Sequence, residues 1–283
     1  MPQFQLHAET VPGNGPPALL IHGLLSSRIQ WRPNINALSR HIRPVLIDLW
    51  GHGLSPSPLD DDAYTVEAYV RQFDLIRQSL GISQVLMVAH SFGAGLAMHY
   101  AIRHPQHVRA LVITNSTTAF ADPDDAAVYT AREEMATAIS NDGLEAIRSL
   151  PMHPRRGKRL PVELKDKLID QADAVAPLSV LRAMRITTPG LSMRHELGHI
   201  ACPVLLVNGR REAGFQKYRD IAEKEIPSCE VVDLDVGHAV NLEDSTGFNH
   251  AISAFLSRVI GDLEPAPRSD IEVPSFDPRR ETT

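Results

Sequence analysis

The chain has 283 residues, of which 43% are hydrophobic and 22% charged, and Lys+Arg 28 against Asp+Glu 34 leaves a formal net charge of −6. That composition excludes a fully disordered or a fibrous chain, and it offers no basic excess to neutralise the phosphates of a nucleic acid. Two cysteines, Cys202 and Cys229, cannot build a disulfide framework. With no apolar run near the ~18 residues that span a bilayer and no signal-peptide pattern at the start, a cytoplasmic location is the expectation.

Along the chain, Ala18–Ile21 is a short apolar run and residues 27–40 carry a helical pattern. Pro44–Leu49 is a second run, closed by Asp48 and the turn Gly51-His52-Gly53. Between Val66 and Leu80, apolar residues recur every three to four positions, which predicts an amphipathic helix with Gly81 at its C-cap. Val85–Ala89 is a third run, followed by a helix to about His104, stopped by Pro105; Ala110–Thr114 is a fourth. The rhythm resumes with a strand at Pro203–Val207, a helix at 215–226, a strand at Val231–Leu234 and a last helix at 244–260. Continuous apolar strands between amphipathic helices predict an α/β fold, a mostly parallel sheet covered by helices on both faces.

Residues 118–196 break that rhythm. Asp124–Ile139, Asp142–Leu150, Pro161–Val175 and Pro177–Met184 read as helices joined by proline and glycine turns. A helical block between two strands of one sheet is an inserted cap on a core formed by 1–117 and 197–261. Residues 262–283, with prolines at 265, 267, 274 and 278, read as a disordered tail.

Chemistry concentrates at the ends of the strands. Val85-Leu86-Met87-Val88-Ala89 runs into His90-Ser91-Phe92-Gly93, and a helix follows at once. A serine on so tight a turn sits in a strained backbone, and only small residues two places away, here Ala89 and Gly93, let the neighbouring chain pass. The turn lifts Oγ off the sheet and aims the Phe92 amide where a tetrahedral oxyanion would form. His22-Gly23-Leu24 ends the first strand, and Gly23 frees the backbone so that the Leu24 amide supplies a second oxyanion donor. Gly237-His238 follows the last strand and would deliver a general base to the same edge.

Four motifs, His22-Gly23, the Asp48…Gly51…Gly53…Ser55 turn, the Ser91 elbow and Gly237-His238, stand in an order that resembles the α/β-hydrolase family over about residues 17–260. That resemblance implies a triad acid after the strand Pro203–Val207, where the family usually has aspartate three residues beyond a glycine; here Glu212 follows Gly209 at that spacing. Asp235, Asp233, Asp122, Asp124 and Asp125 are rivals, and Glu212 has the competing reading of a surface carboxylate paired with Arg210 or Arg211. The implied mechanism is acyl transfer: Ser91 attacks, His238 is the base and Glu212 orients it, with no metal and no organic cofactor. A serine at position 91 argues against the dehalogenase and epoxide hydrolase branches, which use aspartate there. The expected substrate is a small carboxylic ester or lactone; a carbon–carbon bond hydrolase or lyase and a slow-turnover ligand receptor are the alternatives.

His195-Glu196-Leu197-Gly198-His199 matches the zinc pattern H-E-x-x-H, but Gly198 weakens a helix and no third ligand stands at a usual spacing, so a connector is the expectation. His52 and His90 read as spacers, and Asp48 as a brace for its turn. Trp50 reads as a pocket or core aromatic. The basic cluster from His153 to Arg159 reads as a solvated loop, with steering of an anionic substrate as its functional alternative.

Overall fold

Seven strands form a single sheet in the computed structural model, which describes residues 4–260. They are β1 (Ala8–Thr10), β2 (Pro17–Ile21), β3 (Arg43–Ile47), β4 (Val85–Ala89), β5 (Val108–Thr114), β6 (Val204–Gly209) and β7 (Cys229–Leu234), in the order β1-β3-β2-β4-β5-β6-β7. Every pairing is parallel except that of β1 with β3. The three residues of β1 are too few to carry a periodic signal, and no strand is expected there from the sequence. The tail expected at 262–283 lies outside the described residues.

Alternate residues along the strands feed two cores. Leu19, Ile21, Val45, Ile47 and Met87 face one side, packed by α2 (Val66–Ser79), α3 (Phe92–Arg103) and α9, numbered in chain order (Gln216–Glu225). Ala18, Leu20, Leu46, Leu86 and Val88 face the other, against Trp31 and Leu38 near or on α1 (Arg32–Leu38), and against Phe248, Ile252 and Phe255 of α11 (Ser245–Ile260). Each such aromatic or aliphatic side chain taken from water stabilises the fold by roughly 1.5–3 kcal/mol. The helical stretch expected at 27–40 divides into a 3-10 turn, Arg28–Trp31, and α1. Pro33, which lacks an N–H, occupies the first turn of α1, where no intrahelical donor is needed.

Between β5 and β6 the described residues contain helices and turns but no strand: α4 (Thr117–Phe120), α5 (Ala126–Asp142), α6 (Leu144–Ser149), α7 (Val162–Asp173) and α8 (Pro177–Arg182). Gly143 separates α5 from α6, and α8 runs on into a π-helical turn, Ala183–Thr187. Ile139, Ile147, Val175, Val180 and Met184 form a small core of their own, closed by Leu25 from the loop after β2. A second contact joins Leu164 and Leu168 of α7 to Ile29 and Leu242. A short helix, α10 (Val240–Glu243), precedes α11.

The register aligns the strand ends. Ile21 pairs with Ala89, Ala89 with Ile113, Thr114 with Val207 and Gly209 with Leu234, so the loops after β2, β4, β5, β6 and β7 open on one edge. The chain leaves β2 toward β3 on one side and continues from β4 toward β5 on the other. Such a reversal leaves a crevice beyond the carboxyl ends of the two central strands.

Candidate active site

Ser91 stands in that crevice, in the loop after β4, with φ 52° and ψ −116°. A non-glycine residue there carries about 1–3 kcal/mol of strain, held by its surroundings. The close approach that makes the turn possible falls at Gly93, where a Cβ would sit 2.5 Å from the carbonyl oxygen of His22. No larger residue fits without parting β2 from α3.

Three side chains from three loops meet here. His238 Nε2 lies 2.9 Å from Ser91 Oγ, and His238 Nδ1 lies 2.9 Å from Glu212 Oε2. An ionised carboxylate only accepts, so Nδ1 carries the proton and donates to Glu212, leaving Nε2 to accept from the Ser91 hydroxyl. Burial works to raise the Glu212 carboxyl, but the hydrogen bond and charge of His238 and the Asn115 amide outweigh it and hold it below its ordinary value. Asn115, immediately after β5, donates from Nδ2 to Glu212 Oε2 at 2.7 Å and to the Gly209 carbonyl at 3.1 Å, while its Oδ1 accepts from the Gly209 amide at 2.9 Å. It ties the acid loop to the neighbouring strand end.

Of the rival carboxylates, Asp124 is exposed and the other four are engaged elsewhere. Asp235 accepts from Arg210 and Arg211, which hold its carboxyl well below the ordinary range, so the arginines proposed as partners for Glu212 are occupied. Asp233 accepts from Asn208 and Arg219, Asp125 caps α5, and Asp122 accepts from the Asp124 amide.

Leu24 lies in the loop after β2 and Phe92 is the first residue of α3, and neither backbone amide donates to a group among the described residues. The residue between β2 and the first 3-10 turn that is strained is Leu25, with φ 57°. Its amide donates to His52 Nε2 at 3.2 Å, and His52 Nδ1 in turn donates to the Trp50 carbonyl at 2.8 Å. Burial pushes the His52 imidazole from its ordinary 6.5 down to about 3, so it stays neutral and keeps this tautomer. His22 is set the same way: Nε2 accepts from the Leu49 amide at 2.9 Å and Nδ1 donates to the Gly23 carbonyl at 2.7 Å. His90 packs with its ring 5.0 Å from that of His238, bonds Thr114 Oγ1 through Nδ1 at 2.7 Å, and is held neutral by burial. The histidines read as spacers thus fix the loops on either side of Ser91. Asp48 accepts from the amides of Arg28 and Leu54 and pairs with the Arg28 guanidinium at 2.9 Å.

A cavity of about 370 Å³ opens over Ser91 and His238, walled by the loops after β2 and β7 and by residues 151–160 and Leu168 of the helical segment. A larger hollow of about 530 Å³ lies beside α2, with Trp50, Arg71 and Asp74 among its walls. It contains none of Ser91, His238 and Glu212, so volume is not what marks the site, and Trp50 faces this hollow instead. His195 and His199 are exposed on a turn and on the 3-10 segment Leu197–His199, not on one face of an α-helix. Among the described residues no group of three His, Cys, Asp or Glu is placed to hold a metal, and no helix is long and apolar enough to cross a membrane.

A family profile described as alpha/beta hydrolase fold matches residues 16–245, and the chain belongs to that family. It is similar over 262 residues, at 25% identity, to a Bacillus subtilis (strain 168) protein provisionally named 2-succinyl-6-hydroxy-2,4-cyclohexadiene-1-carboxylate synthase, covering 89% of this chain and 94% of that one. Similarity at 27% identity extends over 260 residues of a provisionally named carbamate hydrolase, RutD, of Agrobacterium fabrum, covering 89% and 97% of the two chains. The solved structure of MenH from S. aureus superimposes with a TM-score of 0.78 at 21% identity, covering 89% of this chain and 98% of that one, which is a likeness of fold.

Proposed function

We propose that the chain is a serine hydrolase that cleaves a small carboxylic ester or lactone through an acyl-enzyme intermediate. One observation carries the reading: the unbroken path from Ser91 Oγ through His238 to Glu212, with both links at 2.9 Å, on a strained strand-to-helix turn. In this mechanism His238 Nε2 takes the Ser91 proton as Oγ attacks the carbonyl carbon. Glu212 holds the imidazole tautomer and stabilises the imidazolium. The free amides of Leu24 and Phe92 take up the oxyanion, each worth about 2.7–4 kcal/mol by analogy with other oxyanion donors. The imidazolium then protonates the departing alkoxide, and water, deprotonated by His238, releases the acid.

The helices between β5 and β6 act as the cap that roofs the cavity, and the chemistry asks for neither metal nor organic cofactor. A reducing, cytoplasmic setting suits Cys202 and Cys229, free thiols that burial pushes up to about 11 and so keeps unreactive. The test is a fluorophosphonate probe with a panel of esters, lactones and dienoates. Labelling at Ser91 with ester or lactone turnover is expected; labelling at another serine overturns the assignment. A carbon–carbon bond hydrolase or lyase is the second reading, supported by similarity along almost its whole length to the Bacillus subtilis protein provisionally named a cyclohexadiene-carboxylate synthase. Turnover of dienoates alone would establish it.

A further inference from the structure

The wall of the Ser91 cavity has a charge that the rest of the chain does not. The protein carries a net charge of −6, yet four cationic side chains, Arg156, Lys158, Arg159 and Arg211, and a single carboxylate, Glu243, face this one cavity. They are not equally available. Arg211 is held by Asp235. Arg156 spends one nitrogen on the Ser149 carbonyl at 2.8 Å. Arg159 stands 3.9 Å from Glu243, a loose pair. Lys158 has no partner among the described residues. The four cations are exposed, whereas Leu24, Leu25, Met152, Leu160, Leu168 and Leu242, which line the same cavity, are buried or half-buried.

The order of chemistry is therefore a nucleophile at the floor, an apolar waist and a cationic mouth. An apolar waist binds hydrocarbon, and a cationic mouth over low-dielectric walls concentrates anions. We propose that the substrate is an ester or lactone bearing a carboxylate remote from the scissile bond, its hydrocarbon part held by the waist and its carboxylate received by Lys158, with Arg156 and Arg159 beside it. This rests on the serine hydrolase reading and names the substrate class of that site. One carboxylate fits better than a phosphate, because Glu243 stands on the same wall and repels a second negative charge.

The test compares two aryl esters of equal chain length, 4-nitrophenyl hemiadipate, which ends in a carboxylate, and 4-nitrophenyl hexanoate, which ends in a methyl. The wild type is expected to favour the hemiadipate in kcat/KM by roughly tenfold at low salt, and the ratio should shrink toward one at high ionic strength as the Debye length falls from about 10 Å to 3 Å. Lys158→Glu should reverse the ratio within the same variant, a readout that a general loss of folded or active protein does not move. An ω-phosphonate ester of the same length should rank below the hemiadipate. A wild-type ratio of one or less, insensitive to salt, overturns the proposal while leaving the serine hydrolase reading intact. If neither ester turns over, that reading fails, and the anion site is still decided by calorimetry on Ser91→Ala protein. Adipate must then bind and adipamide must not; equal or absent binding of both overturns it.

Discussion

The carboxyl edge of the sheet and the helical segment between β5 and β6 are built on opposite plans. At the sheet edge, five strand ends held in register by backbone pairing fix the positions from which Ser91, Asn115, Glu212 and His238 project. Position there is set by the ladder, and each loop needs only the residue that chemistry demands and a glycine where chains approach. The helical segment has no ladder. It is held by its own small cluster around Ile139, Ile147 and Val180, by apolar contacts through Leu25 and through Ile29 and Leu242, by Phe120, Ala183, Leu191 and Met193 in the larger core, and by Thr187 Oγ1 donating to the Tyr64 carbonyl. The rigid edge is suited to fixed distances and the packed helices to shape, so on the proposed function the two regions would divide reaction from selection.

The sharpest way to break that division is to remove the nucleophile. Ser91→Ala is expected to lower kcat by at least roughly 10³-fold with little change in Tm, because it deletes Oγ and leaves the ladder untouched. Steady-state kinetics and a thermal melt on the same preparation check it. Glu212→Gln comes next. It keeps the shape, removes the charge behind the imidazolium and lets an amide favour the wrong tautomer, which should cost on the order of 10²- to 10⁴-fold in kcat. Asp235→Asn, measured in parallel, should stay within about tenfold of wild type, since that carboxylate is bound to exposed arginines. A reversal of these two results would move the acid to position 235.

A third expectation concerns stability against pH. His22, His52 and His90 are held neutral in the fold below an imidazole's ordinary 6.5, His52 down to about 3. Between those values the unfolded chain binds protons that the folded one refuses. Their contribution is therefore whole above about pH 6.5 and is lost as pH falls, each histidine adding up to about 1.4 kcal/mol per pH unit to the slope. Glu212, held below its ordinary value, adds a loss further into acid. Melting temperature should be level above pH 7 and fall below 6.5, and His52→Gln should make that fall shallower. An unchanged slope would mean that His52 is not buried neutral.

Much of the edge was legible in the sequence because each of its features is local. An apolar run, a serine and a glycine two places on define the elbow without help from distant residues, and Gly237-His238 needs only the strand before it. Asn115 was not legible: a lone asparagine after a strand gains its purpose only from Glu212 and Gly209, brought beside it by the pairing of β5 with β6. His52 is the same case, since its tether to Leu25 spans two loops. In the helical segment the elements themselves were readable from proline and glycine punctuation. Which side chains they present to the cavity was not, because that depends on packing between helices. The basic run from His153 to Arg159 divides accordingly: all line the cavity except Arg155, but His153 is buried against Asp173, while Arg156, Lys158 and Arg159 are exposed.

The smallest expected effect on turnover comes from the helical side, and it sharpens the comparison most. Leu168 is 1% exposed, packs with Ile29, Leu164 and Leu242, and also lines the cavity over Ser91. Truncation to alanine should destabilise by about 2–5 kcal/mol if the site cannot collapse, because buried contacts are lost and a void remains. Its effect on the reaction should differ in kind from that of Glu212→Gln. No proton or developing charge passes near Leu168, so what it contributes is contact shared by the bound substrate and the transition state, and losing it raises KM more than it lowers kcat. A rise in KM of a few-fold up to about tenfold is expected, steepest for esters long enough to reach the waist and least for acetate. Equal effects on acetate and on longer esters, or a loss carried by kcat, would show that α7 holds the reacting groups in place as well as shaping the cavity, and the division between edge and cap would fall.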